Sequence, residues 1–278
     1  MSDIAAATYV AEDHAPDPVR SRGGDPTLPG KLAIWLFLAS EIMFFVAVLG
    51  AYLIFRSGTP NLFAKHAESL SKVPASINTV ILLLSALTMA LGVVASQRAD
   101  AKRAAKFFGL TLLCASAFLG VKLYEYKGKL DHYTFQVVES GQLVVYDAHV
   151  HKGADAWSLT HAHRMPVPQT GTFDLHLLSE RDVRDGGTPV PDGTTVKTAD
   201  ITNALSYGPW KNVFFSCYFT LTGIHILHVV GGMVPVGALF VHALRGRVLP
   251  YHAEYTGLYE SFVALVWIAF LFPFLYLI

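Results

Sequence analysis

The residues of this chain that could do chemistry stand inside apolar segments, and the first is a carboxylic acid. Glu41 is the single charged residue between Lys31 and Arg56. In a helix that rises 1.5 Å per residue, it lies about 15 Å from Lys31, near the centre of a hydrocarbon core of about 30 Å. An ionisable group at that depth costs roughly 2.5–3.5 kcal/mol on insertion scales, so it is usually buried against protein and functional. We therefore predict that Glu41 is a buried functional carboxyl.

Two histidines, His225 and His228, stand three residues apart in TGIHILHVVGG, which places both rings on one helix face. They could ligate haem, or they could hydrogen-bond across a helix bundle to Glu41 or a lipid headgroup. One haem takes its axial ligands from different helices, and the remaining candidates, His242 and His252, lie at and beyond a helix end. The spacing therefore favours hydrogen bonds. Apolar surroundings favour the neutral acid at Glu41 unless one of the pair bonds to it.

Two further acidic residues occupy apolar segments. Glu125 follows Lys122 by three residues, so the two side chains share a helix face and could form an ion pair at a helix end. Glu260 is placed to reach water, Arg245 or Arg247. For both carboxyls, structural pairing is the favoured interpretation.

A polar segment later in the chain is rich in histidine and contains two H-x-H pairs, His149/His151 and His161/His163. Residues two apart on a strand share a face, which suits a metal ion. The segment has no cysteine and no zinc-finger spacing, so surface histidines are favoured and these four stay weak metal candidates. No phosphate-binding loop, G-x-S-x-G elbow or C-x-x-C motif occurs, so a self-contained enzyme is not supported.

The elements that must position these residues are membrane helices. The chain is 53% hydrophobic with a formal net charge of zero, which gives no indication of nucleic-acid binding. Short charged connectors separate apolar segments, as in a multi-span membrane protein. We predict an all-α membrane protein with five transmembrane helices, at about 32–55, 76–97, 106–126, 212–243 and 257–278. The two cysteines fall inside these spans and offer no disulfide framework.

Basic residues near the helix ends predict the orientation of the helices. Nine lie on the side of the N-terminus and three on the other, so we expect the N-terminus in the cytoplasm and the C-terminus outside. The nine are Arg20, Arg22, Lys31, Arg98, Lys102, Arg103, Lys106, Arg245 and Arg247; the three are Arg56, Lys65 and Lys72.

The long connector between transmembrane helices 3 and 4 is not apolar and predicts an exported, partly β insertion. TFQVVESGQLVVYD is typical of a β-hairpin, and RDGGTPVPDGTT of an exposed loop. The sequence thus divides into a flexible cytoplasmic tail (1–30), helices 1–3 (31–127), the exported cap (128–211) and helices 4–5 (212–278).

Five ordered motifs carry a resemblance to a known family. They are WLFLASEIMFFVAVLGAYLIFR, with Glu41; PASINTVILLLSALT, with Asn78; KLYEYKGKL, with Glu125; FTLTGIHILHVVGG, with His225 and His228; and YESFVALVWIAFLFPFLYLI. Together they resemble subunit III of the haem–copper terminal oxidases, in its short five-helix bacterial form. The closing helix departs from the family pattern, because Glu260, Ser261 and Ala264 replace tryptophan, histidine and aspartate.

The resemblance implies a multi-pass subunit of the bacterial cytoplasmic (inner) membrane with no catalytic centre and no haem or copper of its own. Those cofactors would belong to the catalytic subunit of a cytochrome c or quinol oxidase. The expected partners are oxidase subunits I and II, further respiratory-complex subunits and structural phospholipids. The expected role is to stabilise the catalytic subunit, hold lipid and support proton uptake, with Glu41 as the key carboxyl and His225, His228, Glu125 and Asn78 as bundle or lipid contacts. The accessory subunit of a nitric-oxide-reducing complex and a haem-b membrane cytochrome remain the alternatives.

Overall fold

The computed structural model of the protein describes residues 28–139, 141–167 and 174–277. The predicted N-terminal tail lies outside the described residues up to residue 27. Within the described ranges a bundle of long helices carries a β-sheet at one end. The helices are α1 (Leu28–Gly58), α2 (Pro60–Glu68), α3 (Lys72–Gln97), α4 (Ala101–Leu130), α5 (Glu180–Gly186), α6 (Val213–Leu244) and α7 (Pro250–Leu265), and α7 continues as π-helical turns over Val266–Leu271 and Pro273–Leu277.

Five helices are long and apolar enough to cross a membrane, as predicted, and they are α1, α3, α4, α6 and α7 with its π-helical continuation. Their most apolar stretches have a mean hydropathy of 1.7 to 2.4. Several helices extend past the predicted bounds, because a helix need not end where its apolar segment ends. The fifth begins at Pro250 instead of residue 257, since proline fits the first turn of a helix, where its missing N–H is not needed.

Four of these helices surround the main core. α3 packs on α4 and α7, and α6 packs on the same two helices from the other side. Phe118, Tyr218 and Trp267 are fully buried between them. α1 lies outside this group against α6 and α7, and only 11% of its most apolar stretch is buried, against 28–39% for the other four. Most of the surface of α1 is therefore open to lipid or to another protein.

The insertion is an antiparallel sheet, so the predicted β-hairpin is confirmed and is part of something larger. Glu139 pairs with Gln142 at the turn between β1 and β2; Ser140 lies outside the described residues. The strands are β1 (His132–Glu139), β2 (Gln142–Lys152), β3 (Ala156–Pro166), β4 (Thr188–Pro189), β5 (Thr195–Lys197) and β6 (Ile201–Ser206). Their order is β4-β3-β2-β1-β6, with β5 also beside β3.

Two features of the insertion differ from prediction. RDGGTPVPDGTT is not simply an exposed loop, because it contains the end of α5, strand β4 and the first residue of β5. A reciprocal capping box between Ser179 and Asp182 starts α5. The sequence predicts the sheet between helices 3 and 4. Counted along the chain, the sheet follows the fourth helix, α4, because the short helix α2 was not predicted. α4 is the third of the five candidate spans.

A buried polar network joins the sheet to the bundle. Asp147 on β2 is almost completely buried and accepts hydrogen bonds from His132, Thr134 and Tyr207 at 2.7–2.9 Å. Lys211, in the segment before α6, donates to the Thr134 hydroxyl at 2.7 Å. Burial raises the pKa of Asp147, but the nearby His132 and Lys211 and these hydrogen bonds outweigh it and leave that pKa below its usual range. The carboxylate is therefore ionised and fixes the sheet against the start of α6.

Candidate functional site

The structure pairs Glu41 with His228 across the interface of α1 and α6. Glu41 Oε2 lies 2.8 Å from His228 Nε2, and the two side chains are 20% and 13% exposed. The Nδ1 atom of His228 lies 2.8 Å from the carbonyl oxygen of Ile224 on the same helix. The Phe45 ring packs on the imidazole with 5.1 Å between ring centroids. Of the two histidines that the sequence offered to Glu41, the structure selects His228.

These contacts define where the protons of the pair are held. A carbonyl oxygen can only accept, so His228 Nδ1 carries a hydrogen and donates it to Ile224. One hydrogen then lies between Nε2 and the Glu41 carboxyl, because two bare lone pairs 2.8 Å apart would repel each other. The pair is either a neutral acid with a neutral imidazole or a carboxylate with an imidazolium. Its net charge is zero in both forms, which makes it compatible with the low dielectric of a membrane.

An apolar groove opens beside this pair, between α1 and the end of α7. Phe45 lies between the Glu41–His228 pair and the groove, since it contacts His228 and also lines the groove. The groove has a volume of about 180 Å³. Its other walls come from Ile42, Val46, Leu49, Leu221, Phe262, Leu265, Val266, Phe270 and Leu271. Such walls suit an acyl chain or another apolar group.

Glu125 belongs to a second polar cluster, deep between α4, α6 and the end of α7. Lys122 Nζ donates to Glu125 Oε2 at 2.9 Å, and the two side chains are 0% and 4% exposed. Tyr218 and Tyr276 donate their hydroxyl hydrogens to Glu125 Oε1 at 2.7 and 2.8 Å. The Lys122 ammonium also lies 4.8 Å from the centroid of the Trp267 ring. The predicted ion pair is present, but it is buried in the bundle and not exposed at a helix end.

His225 and Asn78 stay separate from both clusters. Each is fully buried, and no hydrogen-bond partner within the described ranges reaches either ring nitrogen of His225 or either amide atom of Asn78. The His225 ring packs against the Phe118 and Trp267 rings, at centroid distances of 5.6 and 5.2 Å. The hydrogen bond that the sequence suggested between His225 and Glu41 is therefore not formed.

Glu260 on α7 points at α6 instead of at the basic residues Arg245 and Arg247. Its Oε1 atom occupies the space that a Cβ on residue 232 would fill, which Gly232 leaves open. The neighbouring Tyr259 donates its hydroxyl hydrogen to the carbonyl oxygen of His228 at 3.0 Å. The glycine at 232 thus lets a carboxyl approach the backbone of α6 one turn after His228, an arrangement that the sequence did not suggest.

Among the four weak metal candidates, the rings of His149 and His161 approach each other, with 6.4 Å between their centroids. His149 and His151 are on β2, and His161 and His163 on β3, where the pairing register shifts between Asp147 and His149. His161 has a positive φ of 51° at this bulge, so the two-residue alternation fails there. In the part of the chain that the structure describes, no group of three or more His, Cys, Asp or Glu residues could hold a metal ion.

Fold and site together define a multi-pass membrane protein whose buried polar side chains mostly bond to one another. No protein-family model matches the chain. It is 23% identical over 282 residues to cytochrome c oxidase subunit 3 of Synechocystis, covering 100% of this chain and 88% of that protein. It is 21% identical over 269 residues to cytochrome bo(3) ubiquinol oxidase subunit 3 of Pseudomonas aeruginosa, covering 95% and 90%. A Bacillus cytochrome c oxidase subunit 3 is 34% identical over 104 residues, 36% of this chain and 49% of that protein.

The resemblance to subunit III of the haem–copper terminal oxidases is thus confirmed, because relatives of that name align along the whole chain. The third match spans about half the length of its relative. The relatives are subunits of cytochrome c and quinol oxidases, which are oxidoreductase complexes.

Proposed function

We propose that the chain is the non-catalytic subunit III of a proton-pumping haem–copper oxygen reductase. In this role it binds the catalytic subunit and subunit II in the bacterial cytoplasmic membrane, and haem and copper are held by those partners. It stabilises the catalytic subunit, holds structural phospholipid and supports proton uptake. The observation that carries the proposal is the Glu41–His228 pair, because it joins two of the motifs that the chain shares with the family.

The exposed face of α1 and the groove beside Glu41 support the lipid part of this role. α1 is held to the bundle along one side, and the apolar walls of the groove match the chemistry of an acyl chain. The polar end of such a lipid would lie at a membrane surface, away from Glu41. The pair itself helps to attach α1 to α6, so it stabilises the wall of the lipid site.

The proposed orientation places the N-terminus in the cytoplasm and exports the sheet and the C-terminus. Within the structure, Lys31 of α1 bonds to Glu254 of α7 at 3.3 Å, so these two helix starts share one side. Lys65 of α2 bonds to Asp182 of α5 at 2.9 Å, so α2 and the insertion share the other. The excess of basic residues on the first side supports its assignment as cytoplasmic.

The geometry disfavours the alternative of a haem-b cytochrome. Both ring nitrogens of His228 are engaged, by Ile224 and Glu41, and His225 is enclosed by Phe118 and Trp267. An accessory subunit of a nitric-oxide-reducing complex would share the fold, and only the catalytic subunit that purifies with the chain distinguishes the two.

The test is purification of the tagged chain from its native membrane, with subunit identification and a visible absorption spectrum. We expect a haem–copper catalytic subunit in equal amount and oxygen-reductase activity. Glu41→Gln should stay in the complex, because the amide can donate to His228 Nε2, whereas Glu41→Leu should reduce retention. Met43→Leu, at a largely exposed position on the same helix, is the matched control. A haem spectrum from the isolated chain, or purification without a haem-containing partner, would refute the proposal.

A further inference from the structure

We propose that His225 and Asn78 bind ordered water inside the helix bundle. Both side chains are fully buried, one on α6 and the other on α3. All four of their polar side-chain atoms lack a partner among the residues that the structure describes. The hydroxyl oxygen of Ser96 is likewise buried and unbonded in the described chain, but Ser96 lies about five helical turns from Asn78 along α3.

The chemistry of the two side chains defines the ligand. A neutral imidazole offers one N–H donor and one nitrogen acceptor, and an amide offers two donors and one oxygen acceptor. Leaving a buried donor or acceptor unbonded destabilises a protein, and roughly 90% or more of such groups in proteins are bonded. Water both donates and accepts, so it can bond to either kind of group. Buried waters of this kind usually make about three hydrogen bonds to such polar groups.

The surrounding contacts place both side chains at one level of the bundle. The Trp267 ring on the last helix lies 5.2 Å from the His225 ring, and its Nε1 donates to the Thr79 hydroxyl, next to Asn78, at 3.1 Å. Phe118 packs against both His225 and Trp267. This level, which we call the Trp267 layer (Asn78, Thr79, Phe118, His225 and Trp267), has aromatic walls and two groups that require water.

The Trp267 layer lies between the two bonded clusters. The Lys122 ammonium contacts the Trp267 ring, so the Lys122–Glu125 cluster borders the layer. On its other side, His225 lies about one helical turn before His228, which bonds to Glu41. Water in this layer therefore forms hydrogen bonds within a part of the core that is otherwise aromatic. These bonds offset the free-energy cost of burying the imidazole of His225.

Radiolytic footprinting of the intact complex in lipid nanodiscs tests the proposal, because hydroxyl radicals formed from bound water oxidise adjacent buried aromatic rings. We expect Trp267 and Phe118 to be oxidised although neither is exposed. Phe135, equally buried in the sheet, is the control that should stay unmodified. In the His225→Phe variant, oxidation of Trp267 should fall several-fold.

Asn78→Leu provides a second variant if His225→Phe fails to assemble, and it should lower oxidation of the same tryptophan. A cryo-EM map of the unmodified complex at a resolution that shows ordered water should contain a peak within hydrogen-bond distance of His225 Nδ1 or Nε2. Unmodified Trp267 in the wild-type complex, or equal oxidation of Trp267 in all three proteins, would overturn the water site. Neither result would affect the assignment to an oxidase, which depends on the subunits that purify together.

Discussion

Replacing Lys122 by methionine should strongly destabilise the bundle, because it leaves the Glu125 carboxylate buried without its cation. Methionine has nearly the length of lysine and fills the same space beside Trp267. After the change, Glu125 Oε1 still accepts from the Tyr218 and Tyr276 hydroxyls, but Oε2 loses the Lys122 donor at 2.9 Å. The two side chains are 0% and 4% exposed, so bulk solvent does not reach Oε2, and methionine fills the space that the lysine side chain occupied.

The expected loss is about 3–5 kcal/mol, the usual cost of removing one partner of a buried ion pair. At about 1.4 kcal/mol for each tenfold change, that is roughly a hundred- to a few-thousand-fold in the unfolding equilibrium. The double variant Lys122→Met, Glu125→Met carries no uncompensated charge, so it should be more stable than Lys122→Met alone. Lys65→Met is the matched control: the Lys65–Asp182 pair has the same 2.9 Å length, but its side chains are 52% and 29% exposed. Its loss should be below about 1 kcal/mol.

The assay is reversible unfolding of the purified chain in bicelles, followed by tryptophan fluorescence and analysed as a double-mutant cycle. The reasoning is refuted if Lys122→Met is as stable as the control variant. It is also refuted if the double variant loses the sum of the two single losses, because the two residues would then act independently.

Three further outcomes are expected. Burial, partly offset by the Asp147 charge, lowers the pKa of Lys211 to about 7. Since the pKa of an unfolded lysine is about 10.4, the unfolded chain binds more protons than the folded one between these two values, so the sheet should become more stable as pH rises from about 7 to about 10. Hydrogen exchange of β1 and β2 measures this pH dependence, and Lys211→Met should abolish it. Burial, together with the positive charge of Lys211, lowers the pKa of His66 to about 3; thermal melts should therefore show stability falling as pH drops below about 6.5, and His66→Gln should weaken the dependence. Gly232→Ala should displace Glu260 and weaken the packing of α6 on α7, measured by thermal dissociation, whereas Gly237→Ala, with open space around it, should be neutral.

The membrane helices could be predicted because each needs only a local property, a long apolar run. α2 could not be found in this way, since it is nine residues long and buries only Phe63 and His66. The hairpin of β1 and β2 was predictable from two β-rich runs around a short turn. β3 to β6 were not, because their pairing joins residues as far apart in the chain as Tyr133 and Ser206, and no local pattern fixes such pairs.

The sequence identified the residues of the candidate site better than it identified which of them form pairs. Glu41 and His228 were both identified, but His225 and His228 share one helix face about 60° apart, so their spacing alone does not decide which of them reaches Glu41. The Lys122–Glu125 pair was predictable from its spacing. Its burial was not, because Tyr218 and Tyr276 reach it from 93 and 151 residues away in the chain.

The neutrality of the Glu41–His228 pair has a consequence for a protein in an energised membrane. Transfer of the shared hydrogen from one side chain to the other moves a unit charge by only about 1 Å. A potential of 100 mV across 30 Å changes the energy of that transfer by roughly 0.1 kcal/mol. The contact between α1 and α6 should consequently be equally stable in the presence and in the absence of a membrane potential.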